Sequence, residues 1–275
     1  MTNKKYEIFR DLHKRGKCFI LPTAWNAVSA LTLEKVGFQA VGTTSWGIAA
    51  ANGYADGEVM SFDEMFSVVE PILRRLSIPV SVDIESGYSE NTAQILDHVR
   101  TIARSGAAGM NIEDSAKGEQ ISLRSLEQQR EILQAIKKML RDEKIPLFIN
   151  ARTDTYLQSN AENRVRETIQ RASAYQDAGA DCIFIPGLKN LDEIKQIADA
   201  VDVPINIMAM KNLDSTDKLQ GAGVARLSLG SALFKAETAH LFSLAHQIQE
   251  TCELSGLFTS EMPVLNLHTQ RIARA

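Results

Sequence analysis

The chain has 275 residues, 44% apolar and 23% charged, and carries a net charge of −4. That is ordinary globular composition, long enough for one large α/β domain (residues 1–275), and it offers no basic excess for nucleic acid. No apolar run is long enough to span a membrane, the start (Met-Thr-Asn-Lys-Lys-Tyr-Glu) lacks an apolar leader core, and Cys18, Cys182 and Cys252 are far apart without Cys-x-x-Cys spacing, so a reducing cytoplasm is expected and disulfides or structural zinc are not.

In chain order, a short helix at residues 4–15 precedes eight apolar strand candidates: Cys18–Leu21, Ala40–Thr44, Val80–Ile84, Gly109–Ile112, Leu147–Ala151, Cys182–Ile185, Ile205–Met208 and Ala225–Leu229. Between them, segments such as Ala27–Val36, Phe62–Leu76, Ala93–Arg104, Leu126–Leu140, Arg164–Ala178 and Leu191–Ala200 carry apolar residues at helical spacing. Strict strand–helix alternation implies parallel strands joined by right-handed crossovers. The segments before the strands repeat with a period of two. Strands two, four, six and eight follow a glycine (Gly37, Gly106, Gly179, Gly223), and strands three, five and seven follow a proline (Pro79, Pro146, Pro204). Glycine there closes a helix with a left-handed residue, whereas proline opens a strand. Eight such units predict a (β/α)₈ barrel. The competing fold, an open doubly wound sheet, usually has fewer strands and a glycine-rich phosphate loop, and no Gly-x-Gly-x-x-Gly or Walker pattern occurs. Residues 231–275 form a C-terminal extension, with Ala232–Leu254 as one long helix. Its apolar excess fits either packing on another subunit or folding back on its own barrel.

Barrel enzymes place their chemistry at the C-terminal ends of the strands. Here those ends supply Thr44-Ser45-Trp46-Gly47, Asp83 and Glu85, Glu113 and Asp114, Arg152 and Asp154, Asn206, and Ser228. Asp83, Glu85 and Glu113 are oxygen donors without His or Cys company, which suits a hard cation such as Mg²⁺ or Mn²⁺. Any one of them alone would read as a helix cap or a partner of Arg152. Arg152 is suited to bidentate capture of a substrate carboxylate, or to charge balance for Glu113 or Asp114. The Ser45-Trp46-Gly47 loop can offer backbone N–H groups to an anion. Asn52-Gly53-Tyr54-Ala55-Asp56-Gly57 reads as a gate with glycine hinges, or as an ordinary turn. None of the five histidines lies at a strand end, so a Ser-His-Asp or Cys-His hydrolase has no support.

At these residues the sequence resembles the isocitrate lyase / phosphoenolpyruvate phosphonomutase superfamily. The resemblance is carried by Thr44-Ser45 with Gly53-Tyr-Ala-Asp56, Val82-Asp-Ile-Glu-Ser-Gly-Tyr88, Asn111-Ile-Glu-Asp114, Asn150-Ala-Arg-Thr-Asp154, Gly179-Ala-Asp…Ile-Pro-Gly187 and Pro204-Ile-Asn206. It implies a C-terminal helix exchanged between subunits of a homodimer or homotetramer. It also implies Mg²⁺ bound directly by Asp83, with Glu85 and Glu113 acting largely through water. Ser45, the backbone after it and Arg152 would hold the carboxylate of a 2-oxo acid, Asn206 would line the pocket, and Asp56 would contribute to chemistry from the gate. Asp56, Glu113, Arg152 and Lys117 are therefore the candidate catalytic residues, Lys117 having the alternative reading of an exposed loop lysine.

Two departures qualify the resemblance. The cysteine lyases of the superfamily carry a Lys-(Lys/Arg)-Cys-Gly-His segment after strand four, whereas Ser115–Leu123 here contains neither Cys nor His. Trp46 stands where a glycine is common. The expected activity is cleavage of a small 2-oxo or 2-hydroxy acid through an enolate, of the oxaloacetate-decarboxylase kind, and not isocitrate or methylisocitrate cleavage. The alternatives are P–C bond chemistry on phosphonopyruvate or carboxyphosphonoenolpyruvate, and a barrel that binds a 2-oxo acid without turning it over.

Overall fold

The structure, a computed structural model, describes residues 4–14, 16–116, 122–157 and 163–257. Its main sheet contains β1 (Phe19–Leu21), β2 (Thr23–Ala24), β3 (Val41–Thr43), β4 (Val80–Asp83), β5 (Gly109–Glu113), β8 (Phe148–Arg152), β9 (Cys182–Ile185), β10 (Ile205–Met208) and β11 (Val224–Ser228). A two-stranded hairpin, β6 (Ser115–Ala116) and β7 (Ser122–Leu123), stands apart. The order is β1-β11-β10-β9-β8-β5-β4-β3-β2, and neighbours are parallel throughout. Its two ends, β1 and β2, are consecutive in the chain and separated by Pro22. The sheet is therefore a nearly closed barrel of eight staves whose first stave is split. Proline has no N–H for the ladder, although the Pro22 carbonyl still accepts from Gly42 N at 2.8 Å.

The expected first strand, Cys18–Leu21, thus becomes two short ones, and Cys18 lies just outside. The four glycines before alternate strands adopt the expected left-handed conformation, with φ of 106° at Gly37, 98° at Gly106, 100° at Gly179 and 102° at Gly223. Helices α2 (Ala27–Val36), α4 (Phe62–Arg75) and α6 (Leu126–Asp142) start in capping boxes built by Asn26/Ser29, Ser61/Glu64 and Ser125/Gln128. The outer layer is completed by α5 (Thr92–Arg104), α7 (Arg164–Asp177), α8 (Leu191–Asp199) and α9 (Thr216–Gly221), with α10 (Ala232–Thr251) beyond it. The six-residue α9 is too short to show a period in sequence. One further correction matters for the site. Ser45-Trp46-Gly47, expected as a loop, begins helix α3 (Ser45–Ala51), because Thr44 Oγ1 caps the Gly47 N–H at 3.2 Å and an alanine-rich run follows.

Helix α1 (Lys4–Leu12) covers the N-terminal end of the barrel. Phe9 is fully buried, meeting Phe148 edge-on at 5.4 Å, and His13 stacks on Phe148 at 4.1 Å. Gly109 permits this closure, since a Cβ there would lie 2.7 Å from the Phe9 ring and 3.1 Å from the Phe148 carbonyl. Outward residues of the staves (Val80, Val82, Met110, Ile149, Ile183, Ile207) join the large core beneath the helices. The alternate positions include Ser81, Asp83, Asn111, Asn150, Asn206, Arg226 and Ser228, all buried. Barrel interiors are ordinarily filled by branched apolar side chains; above its apolar floor, this one is polar.

Candidate active site

A cavity of about 210 Å³ opens at the C-terminal end of the barrel. Its walls include Ser45, Trp46, Asp56, Asp83 and Arg152 from the expected set, together with Asn111, Arg226 and Ser228. Asp83 ends β4. Its Oδ2 accepts from Ser45 Oγ at 2.8 Å and, more weakly, from Ser45 N at 3.4 Å. Its Oδ1 is buried without a protein partner. An anionic oxygen cannot remain so without a cation or water, so the side chain fits a hard metal ion.

Glu85 follows in a left-handed conformation (φ 48°) within a turn that continues to Gly87 (φ 107°) and Tyr88 (φ 58°). Tyr88 Oη donates to Glu85 Oε1 at 3.1 Å. Burial, then the neighbouring Asp83, Asp56 and Glu58 charges, push the Glu85 carboxyl up to about 8. Glu113 at the end of β5 is raised well above the usual range, foremost by burial and against the pull of Arg152. Raised carboxyls in one crowded place mark negative charge that lacks compensation. Among the described residues, however, no three His, Cys, Asp or Glu side chains converge closely enough to hold an ion as they stand. Glu113 turns onto Arg152 and Glu85 onto Tyr88, and neither lines the cavity. Of the three expected ligands, Asp83 alone lines the cavity with an unpartnered oxygen, and Glu85 and Glu113 are turned to other partners.

Arg152 donates from Nε and Nη2 to Asp154 at 2.6 and 2.9 Å, and from Nη1 to Glu113 Oε2 at 2.7 Å. Burial lowers its pKa, but those carboxylates outweigh it, so Arg152 stays charged. The charge-balance role is present, with Glu113 and Asp154 as its partners. Asp114 instead serves structure, accepting from Arg171 Nη1 at 3.1 Å, Tyr175 Oη at 2.7 Å and Asp154 N at 3.0 Å.

Asp56 lines the mouth from the exposed gate loop, its carboxyl raised by desolvation and then by Asp83. Glu58 pins that loop, its Oε1 accepting from Ser86 N at 2.9 Å, Ser86 Oγ at 2.7 Å and Tyr88 N at 2.8 Å. The Gly47 N–H is taken by Thr44, so it is not offered to an anion. Asn206 is fully buried and accepts from Ser228 Oγ at 3.0 Å, standing behind the wall rather than in it. Lys117 lies outside the described residues. Sequence reading did not single out Arg226, which lies two residues before the end of its strand. The signal was Arg226 and Ser228 at alternate positions of an otherwise apolar strand, where a charge has no reason to be buried unless used.

A family model described as phosphoenolpyruvate phosphomutase matches residues 9–249. The chain is 30% identical over 260 residues to 2-methylisocitrate lyase of Escherichia coli (strain K12), with 86% of each chain covered. It is 29% identical over 237 residues to oxaloacetate decarboxylase of Pseudomonas entomophila (strain L48), with 83% of this chain and 79% of that protein covered. A crystal structure from Burkholderia cenocepacia J2315, provisionally assigned as a phosphonomutase, superposes with a TM-score of 0.85 at 35% identity, covering 89% of this chain and 100% of the other.

Proposed function

The chain belongs to the phosphoenolpyruvate phosphomutase family, in the superfamily it shares with isocitrate lyase-type enzymes, and on that premise we propose that it is a Mg²⁺-dependent lyase acting on a small 2-oxo or 2-hydroxy acid. The observation that carries this reading is Asp83, a buried carboxylate with one unpartnered oxygen on the wall of a polar cavity. A divalent cation held there, with Glu85 and Glu113 through water, would stabilise negative charge developing on a substrate oxygen. Ser45 fixes Asp83 by its hydroxyl. Arg152 orients the substrate carboxylate from the same wall while Glu113 and Asp154 hold its guanidinium plane. Asp56, at the mouth with a raised carboxyl, carries a proton to or from carbon. Cleavage of the C–C bond one carbon beyond the 2-oxo group, as in oxaloacetate decarboxylation, releases CO₂, leaves the enolate and needs only a proton at that carbon, so these groups suffice.

The similarity to the Burkholderia structure favours P–C bond chemistry as the second reading. The relation to 2-methylisocitrate lyase makes the absence of Cys and His from Ser115–Leu123 a discriminating feature. In the cysteine lyases that loop supplies the acid that protonates carbon, so neither isocitrate nor 2-methylisocitrate is expected to turn over here. The test is a panel of oxaloacetate, phosphonopyruvate, isocitrate and 2-methylisocitrate with Mg²⁺ or with a chelator. Cation-dependent turnover of oxaloacetate is expected. Rates near a typical ~10 s⁻¹ on either tricarboxylate would overturn the exclusion, and no turnover of any compound would overturn the enzyme reading.

A further inference from the structure

Arg226 is 1% exposed, on β11 inside the barrel, and still borders the cavity. Its Nε donates to Ser228 Oγ at 2.9 Å and its Nη2 to Asn111 Oδ1 at 3.2 Å, both neutral acceptors. Its Nη1 is buried with no partner. Among the described residues Arg226 forms no ion pair, whereas the other buried arginines do, Arg171 with Asp114 at 3.1 Å and Arg124 with Glu90 at 3.9 Å. Burial holds its pKa down to about 10, so the guanidinium is charged at neutral pH. A buried cation without a counter-ion is strongly unfavourable unless something else neutralises it.

The Arg226 guanidinium lies over the Phe9 ring at 5.9 Å and feels the Asp83 charge, but neither interaction takes the Nη1 N–H. Asn111 Oδ1 already receives Asn150 Nδ2 at 2.7 Å, and Ser228 Oγ bridges onward to Asn206 Oδ1. Ser81 Oγ, Asn150 Oδ1 and Asn206 Nδ2, also on the inward faces of the staves, lack partners too. An unused donor, a guanidinium fixed by its other two nitrogens and a neighbouring cavity occur together. We propose that Arg226 is a second anion-recognition point, so that the substrate carries two acidic groups: one held at the Asp83–Arg152 wall and one taken by the free Nη1 of Arg226 deeper in the barrel. The inference rests on the cavity being the substrate site, and it assigns the second acidic group of such a substrate to Arg226. The cavity has room: at about 210 Å³ it far exceeds the roughly 10–15 Å³ that admits one water, and a four-carbon diacid fits.

Calorimetry on the full chain in MgCl₂, repeated with chelator, compares succinate with its monoamide succinamate, equal in length but bearing one acid. The parent should prefer succinate by at least about tenfold, the scale of one charge-assisted contact. Arg226→Gln should bring the two ligands within about twofold, by weakening succinate and leaving succinamate unchanged. Arg226→Lys, which keeps charge but loses the fork, should retain part of the preference, and it serves if the glutamine variant does not fold. Equal affinities in the parent, or a full preference kept in either variant, would overturn the proposal. So would a lowered melting temperature in Arg226→Gln with selectivity intact, the mark of a purely structural arginine. The lyase reading fails separately: succinate selectivity without turnover of any 2-oxo acid would support the dianion site while removing the reaction.

Discussion

Asp83 and Arg226 share the wall of one cavity, and each leaves one buried polar atom without a partner, an acceptor at Asp83 and a donor at Arg226. Sequence spacing alone identified the first, because an acid at the exit of an apolar strand stands out against its neighbours. It did not identify the second, because a strand-end search stops two residues short of Arg226. His13 yields a prediction of another kind. Burial lowers its pKa from 6.5 to about 3, so below pH 6.5 the unfolded chain binds a proton that the folded chain refuses. This stability is complete above about pH 6.5 and is lost as the pH falls toward 3, by up to roughly 5 kcal/mol. His13→Gln should flatten the acid side of the stability–pH curve, read by urea unfolding between pH 4 and 7. An unchanged slope would mean that His13 is not the titrating group.

At the scale of elements, the alternation of glycine and proline before the strands made the barrel legible, since each reflects a backbone requirement rather than a side-chain preference. The split of the first stave at Pro22 and the start of α3 were not legible. Both depend on which carbonyl or hydroxyl lies nearby in space. The floor formed by α1 is specific enough to predict from. Gly109→Ala should destabilise the fold by about 1–3 kcal/mol, the ordinary range for overpacking, because its methyl would meet Phe9 and Phe148. Denaturant unfolding checks this, and a change below ~0.5 kcal/mol would show that α1 can shift. The loop that carries Asp56 is tied to the Glu85 turn by Glu58, while Tyr54 Oη holds it to Glu64 at 2.6 Å. Glu58→Ala removes three hydrogen bonds that tie it to the Glu85 turn. Amide exchange over residues 52–60 should then quicken by at least about tenfold, since one charge-assisted bond is worth about 1.5 kcal/mol or more, with α8 unaffected. Equal exchange in parent and variant would locate the anchor elsewhere.

On the scale of the whole molecule, α10 stands apart from the compact barrel. Its first turn seats on the mouth, with Phe234 edge-on to Trp25 at 5.3 Å and Trp46 at 5.7 Å, and Lys235 above the Trp46 ring at 4.5 Å. No residue of the helix is buried in the single chain, and Leu241 and Phe242 are 64% and 71% exposed. We infer that this face packs on a second copy, so light scattering at micromolar concentration should report a dimer or tetramer; a monomer mass would refute it. Among the described residues no helix is long and apolar enough to cross a membrane.

The central claim is that Asp83 holds the cation on which catalysis depends. The most direct test is pyruvate formation from oxaloacetate during a Mg²⁺ titration, read above the protein-free blank, for the parent and for Asp83→Asn. The account predicts a rate that saturates with Mg²⁺ and scales with parent protein, and that falls to the blank in Asp83→Asn while the variant keeps its fold by circular dichroism. A variant that matches the parent's rate and Mg²⁺ dependence would contradict it.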